Sequence, residues 1–280
     1  TRSGRACMHQ GVLLAALSSL RKFCLQNDLT LSEHGIYCPC LASAHDDLVI
    51  TTTTGLTGEF IPAMELALNR IKSEYALARK LYFEYTQNAH APDTENDYYY
   101  TELGDNEMIG IDSEKLRTAF RLCFGILDKI GVAICELYDV YPGNQQISFQ
   151  SFWQLDKDER RKKFEEFKTP GLLALYSIAT DLNAKKSGEW SFYKEWRNSL
   201  EHKFLVIQKS QKQSQPYSNH RFFKSVMYVN ETEFIQHLKR MLHLTRSAIF
   251  SFAFAVRESG RPDSSQGPFT YYELSPKTGI

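Results

Sequence analysis

Three long stretches of this chain carry apolar side chains three and four residues apart. That spacing lines one face of an α-helix and cannot line one face of a strand. The first follows Pro62, a residue suited to a helix start, and runs through Met64, Leu68, Ile71, Tyr75, Ala78, Tyr82 and Tyr85, about seven turns. The second uses Leu116, Ala119, Phe120, Cys123, Leu127, Ile130, Ile134, Leu137 and Tyr138. Asp112-Ser113 is expected to cap it and Pro142-Gly143 to end it. Gly125 and Gly131 interrupt it and predict close helix packing or a bend. The third uses Phe234, Ile235, Leu238, Met241, Leu242, Ala248, Ile249, Phe252 and Val256. Asn230-x-x-Glu233 before it has the form of a capping box, and Gly260 and Pro262 should stop it. Helices this long hide their stripes by packing on one another, so the expected fold is an all-α bundle.

The remaining segments read as connections and shorter helices. Residues 9–27 predict one helix. Its apolar part, Gly11 to Leu20, resembles a signal-peptide core, but Arg21-Lys22-Phe23 continues the pattern and no small-residue cleavage site follows. Residues 30–58 predict an irregular loop packed on the bundle, with a β-prone run at Leu48-Val49-Ile50. A polar loop is expected over 88–110, holding Tyr98-Tyr99-Tyr100, and a short solvated helix over 157–168. Pro170 opens a helix from Gly171 to Asn183, Gly188 breaks the chain, and a second helix is expected from about Trp190. Residues 208–221 predict an exposed loop and 222–229 an extended segment. The apolar run 248–256 is too short to span a bilayer. The expected division is an N-terminal extension at 1–58, a helical domain at 59–262 and a flexible tail at 263–280. The chain starts at Thr1 and reads as the end of a longer protein.

Lys plus Arg equals Asp plus Glu at 33 each. A zero net charge argues against a non-specific nucleic-acid coat protein, which would be strongly basic, but leaves room for a small cationic site. The six cysteines, Cys7, Cys24, Cys38, Cys40, Cys123 and Cys135, are too scattered in a chain of 280 residues for a disulfide scaffold. A reducing, cytoplasmic setting is expected. Cys123 and Cys135 fall on an apolar helix face and should be buried thiols. His34, Cys38, Cys40 and His45 suggest zinc, but C-x-C is not the usual C-x-x-C pair, so no metal and no cofactor are expected. The chain has no phosphate-binding G-x-x-x-x-G-K-[ST] loop, no dinucleotide fingerprint and no H-E-x-x-H.

One short segment carries chemistry: Trp196-Arg197-Asn198-Ser199-Leu200-Glu201-His202-Lys203. Asn198 and His202, four apart, share one side of a helix. Arg197 is adjacent and long enough to reach that side. Arginine holds a phosphate through paired hydrogen bonds, and histidine moves protons near neutral pH. Together they suit a phosphodiester. The plainer reading is a helix surface on which Arg197 and His202 pair with Glu195 and Glu201.

R-N-S-L-E-H resembles the R-x4-6-H motif of the HEPN superfamily in its R-N-x-x-x-H form. The wider segment, Tyr176 to Phe204 with Asp181-Leu182-Asn183 before the motif, is most similar to the LA2681-like branch. The resemblance spans roughly residues 60 to 258 as an order of long helices. It implies a helical bundle, a homodimer and a metal-independent endoribonuclease of the kind found in toxin–antitoxin and phage-defence systems. Some members bind RNA or nucleotide without cutting. It also implies upstream helical repeats and an antitoxin or regulatory partner.

In the implied reaction a ribose 2′-hydroxyl attacks the neighbouring phosphate and leaves a 2′,3′-cyclic phosphate. His202 moves a proton, Arg197 stabilises charge on the non-bridging oxygens, and Asn198 orients the phosphate or the imidazole. One histidine per chain is few for both acid and base work, and a symmetric dimer supplies two motifs. Members of the family add a polar or acidic residue from an earlier helix; Glu136, Asp139 and Glu74 are the candidates. Lys203, Lys209, Lys212, Arg221 and Lys224 form the expected RNA-facing patch, with His220, Phe222 and Phe223 beside them for stacking. The cluster Arg160-Arg161-Lys162-Lys163 is interleaved with acids and reads as a solvated face. Glu201, inside the motif, departs from what a phosphate site prefers. A non-catalytic binding module and a purely structural helical domain are the competing classes.

Overall fold

The computed structural model describes residues 17–50, 63–88, 107–140, 147–152, 158–209 and 226–259. The long helices form where the apolar stripes predict them: α1 at Ser19–Gln26, α2 at Ala63–Asn88 and α3 at Ile111–Tyr138. Three short helices follow, α4 at Phe149–Phe152, α5 at Asp158–Phe167 and α6 at Pro170–Asp181. Next come the motif helix α7 at Tyr193–His202, strand β1 at Phe204–Gln208, strand β2 at Val226–Asn230, and the last helix α8 at Glu231–Ser259. The fold is an all-α bundle in which α2, α3, α6 and α8 pack around a common core.

Every predicted core position of α2 from Leu68 to Tyr85 is buried, as are Phe234, Leu238, Met241, Leu242, Ala248, Ile249, Phe252 and Val256 of α8. Cys123 and Cys135 are buried thiols whose pKa burial raises to about 12, which makes them inert core side chains.

Helix ends differ from the sequence expectation for local reasons. α1 starts at Ser19 because Ser18 takes extended backbone and its hydroxyl accepts the Arg21 N–H at 3.4 Å, so the expected helix does not run unbroken through 18. α3 begins at Ile111, at least two residues earlier than a cap at Asp112-Ser113 predicts. Gly110, at φ 118°, is its N-cap, and Ser113 turns its hydroxyl back to the Gly110 carbonyl at 2.8 Å. The helix stops before Pro142, with Asp139 in the left-handed region at φ 48°. Asn230 does cap α8, accepting the Thr232 N–H at 2.9 Å. The segment after Gly188 turns for longer than expected, and α7 starts at Tyr193 rather than Trp190.

The two strands pair in parallel, Phe204 opposite Val226 and Gln208 opposite Asn230. The 222–229 expectation thus holds in its described part as β2. The strand 204–208 was not anticipated, because a short apolar run next to a helix has no periodicity to distinguish it. Leu48-Val49-Ile50 forms no strand; its Leu48 N–H bonds to the Leu31 carbonyl at 3.0 Å, and side chains of Glu65, Lys72 and Arg257 bond the Ile50 N–H and the Leu48 and Val49 carbonyls.

Residues 27–50 lack a regular ladder, and side chains of the long helices satisfy their carbonyls instead. His243 bonds to Asn27, Arg79 to Leu29, Arg246 to Thr30 and Lys72 to Leu48, all at 2.7–2.8 Å. Leu29, Leu31, Leu48 and Ile50 join the bundle's core. Asp46 closes the segment with an ion pair to the buried Arg79. Burial pushes the Asp46 carboxyl up, but the Arg79 hydrogen bond and charge pull it further down, to a net value below the ordinary range. A depressed folded pKa means stability that is present above the unfolded value and is lost as pH falls through the folded one. The pair should therefore stabilise fully at neutral pH and weaken below about pH 4. Urea midpoints measured from pH 7 to 3 should fall less steeply in Asp46→Asn, which begins from a lower neutral value.

Gly171 sits where α6 crosses α8. A Cβ there would lie 2.5 Å from the Ala255 nitrogen and 2.7 Å from the Ser251 carbonyl oxygen, both backbone atoms that cannot step aside. Gly171→Ala should cost about 1–3 kcal/mol by forcing the helices apart, read as a lower urea midpoint at unchanged m-value.

Candidate functional site

The motif helix is held by its aromatic inner face. Tyr193, Trp196 and Ser199 are buried. Trp196 stacks on Phe234 of α8 at 5.5 Å with the rings 3° from parallel, and Tyr193 meets Phe120 of α3 edge-on at 5.7 Å. The Tyr193 hydroxyl lies 2.9 Å from His237 Nδ1, and burial holds that imidazole below its ordinary pKa. These contacts fix the rotation of α7 and hence what it presents outward.

The outward face carries Lys194, Asn198, Glu201 and His202, all exposed. Among the described residues their side chains make no hydrogen bond or ion pair. At 100° per residue, Asn198 and His202 lie about 40° apart around the helix, and Arg197 and His202 about 140° apart. His202 is the last helical residue. Among the described residues the alternative pairing with Glu195 and Glu201 does not form, and Arg197 finds its salt bridge elsewhere.

Arg197 is half-buried at the edge of this face. Its guanidinium lies 3.4 Å from Asp128 Oδ2 and over the Phe124 ring at 5.9 Å, both on α3. Asp128 is itself oriented, its other oxygen accepting the Phe149 N–H at 2.9 Å. The cleft they line, with Lys194 at its rim, encloses about 30 Å³, space for a water and too little for a nucleotide.

Among the described residues the acid that pairs with Arg197 is Asp128, which sequence reasoning passed over. The only signal for it was its place one turn after Phe124 on the same helix face. Glu74 instead pairs with Arg70 and Lys129. Glu136 and Asp139 are exposed at the C-terminal end of α3, where the Asp139 carbonyl accepts the Lys163 ammonium at 2.8 Å.

Past His202, Lys203 and Phe204 are exposed, Phe204 to 60%. They border a larger cavity of about 450 Å³ beside α3, β1 and β2, which Arg117, Arg121, Glu107 and Glu114 also line. Its size suits a small ligand or a base. Glu114 and Glu107 already pair with Arg117, and Glu114 with Arg121, which leaves the Lys203 ammonium as the excess charge of the lining. Lys209 is exposed just after β1. Lys212, Arg221 and Lys224, with His220, Phe222 and Phe223, lie outside the described residues. The 160–163 cluster is on α5, a mostly exposed helix with no buried residue, as a solvated face requires.

No described helix is long and apolar enough to cross a membrane. Comparison with curated proteins and with solved structures gives no match. The family model described as LA2681-like HEPN matches residues 56–259, which include all of α2 through α8 and the Arg197–His202 motif. The chain belongs to the LA2681-like HEPN family.

Proposed function

We propose that this protein is a metal-independent endoribonuclease that cuts RNA by 2′-hydroxyl attack at a composite site formed by two copies of the chain. Membership of the HEPN family supports a general role in binding or cutting RNA. The observation that carries the catalytic reading is the outward face of α7. Asn198 and His202 stand exposed and without partners among the described residues on a helix locked by buried aromatics, with Arg197 at its edge.

His202 transfers the proton, Asn198 orients the phosphate and Arg197 balances charge building on its oxygens. Arg197 and His202 diverge around one helix, so a single chain brings them together poorly on one phosphate. Two-fold pairing of α7 helices relieves this and supplies a second histidine. Lys203 and Phe204 extend the surface for backbone and base contacts. The reading includes a toxin-like or defence setting, with a regulator that restrains cleavage.

The second reading is a module that binds RNA or nucleotide without cutting. It is favoured by the Arg197–Asp128 pair, which occupies the arginine, and by the 450 Å³ cavity next to Lys203. The test is purified protein with total RNA and tRNA in EDTA, beside Arg197→Ala and Asp128→Asn. Cleavage leaving cyclic-phosphate ends, reduced about 100-fold or more in Arg197→Ala, supports the nuclease. Asp128→Asn should keep most cleavage, because it releases the arginine rather than removing it. Binding with no cleavage by the wild type supports the module.

A further inference from the structure

We infer that His34, Cys38 and Cys40 form a zinc site that closes the loop over residues 34–40 between α1 and α2. Their donor atoms all lie within 4.8 Å of one another, and His34 Nε2 is 3.0 Å from Cys40 Sγ. A tetrahedral zinc with Zn–S bonds of about 2.3 Å and Zn–N bonds of about 2.0 Å holds its ligand atoms within about 4 Å of each other, so binding draws the widest of these separations in by under about 1 Å. Two thiolates and an imidazole suit zinc and do not suit magnesium or calcium, which take oxygen ligands.

The backbone builds this grouping from an unpromising spacing. A 3₁₀ turn at His34–Ile36 returns the chain so that the Cys38 N–H bonds to the His34 carbonyl at 3.0 Å. Pro39 then redirects it. Cys40 leads into a second 3₁₀ turn, Leu41–Ala44, and its carbonyl accepts the Ser43 hydroxyl at 2.6 Å. The two turns touch where a Cβ on Gly35 would lie 3.1 Å from the Ser43 Cβ. Only small residues permit that approach, and it brings His34 back over Cys40.

Other uses of the same atoms fit less well. A cysteine–histidine pair at 3.0 Å could serve a nucleophile, but Cys40 is 2% exposed and out of reach of a substrate. Burial instead grades outward, from Cys40 through the half-buried Cys38 to the exposed His34. An ion held between them sits at the surface, with its fourth position left for water or another donor. Two thiolates neutralise its charge, so the site needs no further acid. His45 is exposed and is not one of the gathered donors. The site shares no element with α7, so its role is structural, and it is independent of whether the motif cuts RNA.

The test uses the full chain purified under reducing conditions. Elemental analysis should find one zinc per chain, and cobalt exchanged into it should give the intense thiolate charge-transfer absorption of a tetrahedral site. Cys38→Ser and His34→Ala, on positions that are not fully buried, should each weaken zinc affinity more than about 100-fold. His45→Ala should leave it unchanged. Removing the metal should raise amide hydrogen exchange across residues 34–44 while α7 exchanges as before. Wild type without one zinc per chain, or zinc kept equally by Cys38→Ser and His34→Ala, overturns the site.

Discussion

His202→Ala should abolish RNA cleavage and leave the protein as stable as before. The imidazole is exposed at the end of α7 and bonds to no other described residue, so its loss opens no cavity and strands no partner. Surface changes of this kind shift stability by no more than about 0.5 kcal/mol. Removing a general acid or base costs about 100- to 10,000-fold in rate. The measurement is a pair: a cleavage time course on tRNA and a urea melt of the same preparation. Lost cleavage with an unchanged melt supports His202 as a catalytic residue. An unfolded variant would mean that the imidazole holds the fold, and undiminished cleavage would mean that another group moves the proton.

Trp196→Ala should fail in the opposite manner, by losing the fold's hold on the motif. The indole is 6% exposed, stacked on Phe234 and in contact with Phe120. Truncating a buried tryptophan costs about 3–5 kcal/mol, a large share of the about 5–15 kcal/mol that holds a typical domain together. The urea midpoint should drop sharply. Even at temperatures where the variant stays folded, cleavage should fall, because α7 loses the contact that sets its rotation and therefore the direction of Asn198 and His202. Trp196→Phe keeps a ring against Phe234 and should recover most of both properties. A destabilised Trp196→Ala that cuts RNA at the wild-type rate would show that the rotation of α7 does not matter to the reaction.

The long helices and the motif were legible because their causes are local. Side chains at i, i+3 and i+4 share a helix face whatever lies opposite, so the stripes of α2, α3 and α8 announced both element and buried face. The same rule placed Asn198 beside His202. Asp128 was not legible as the partner of Arg197, since an ion pair between helices depends on how α7 lies across α3. The parallel pairing of Phe204–Gln208 with Val226–Asn230 is likewise a relation between distant segments. Gly171 reads in sequence as an ordinary residue after a helix-starting proline, and only the crossing of α6 with α8 makes it indispensable.

By itself the sequence determined that this chain makes a bundle of long helices and that one helix carries arginine, asparagine and histidine together. Periodicity and motif spacing are properties of neighbours along the chain, and neighbours suffice for both. Tertiary structure decided which way that helix faces, that Arg197 leans on Asp128 while His202 stands free, and that His34, Cys38 and Cys40 meet. The first two depend on buried aromatics and contacts between elements far apart in sequence, and the third on the close approach of two neighbouring turns, where packing rather than propensity sets the distances.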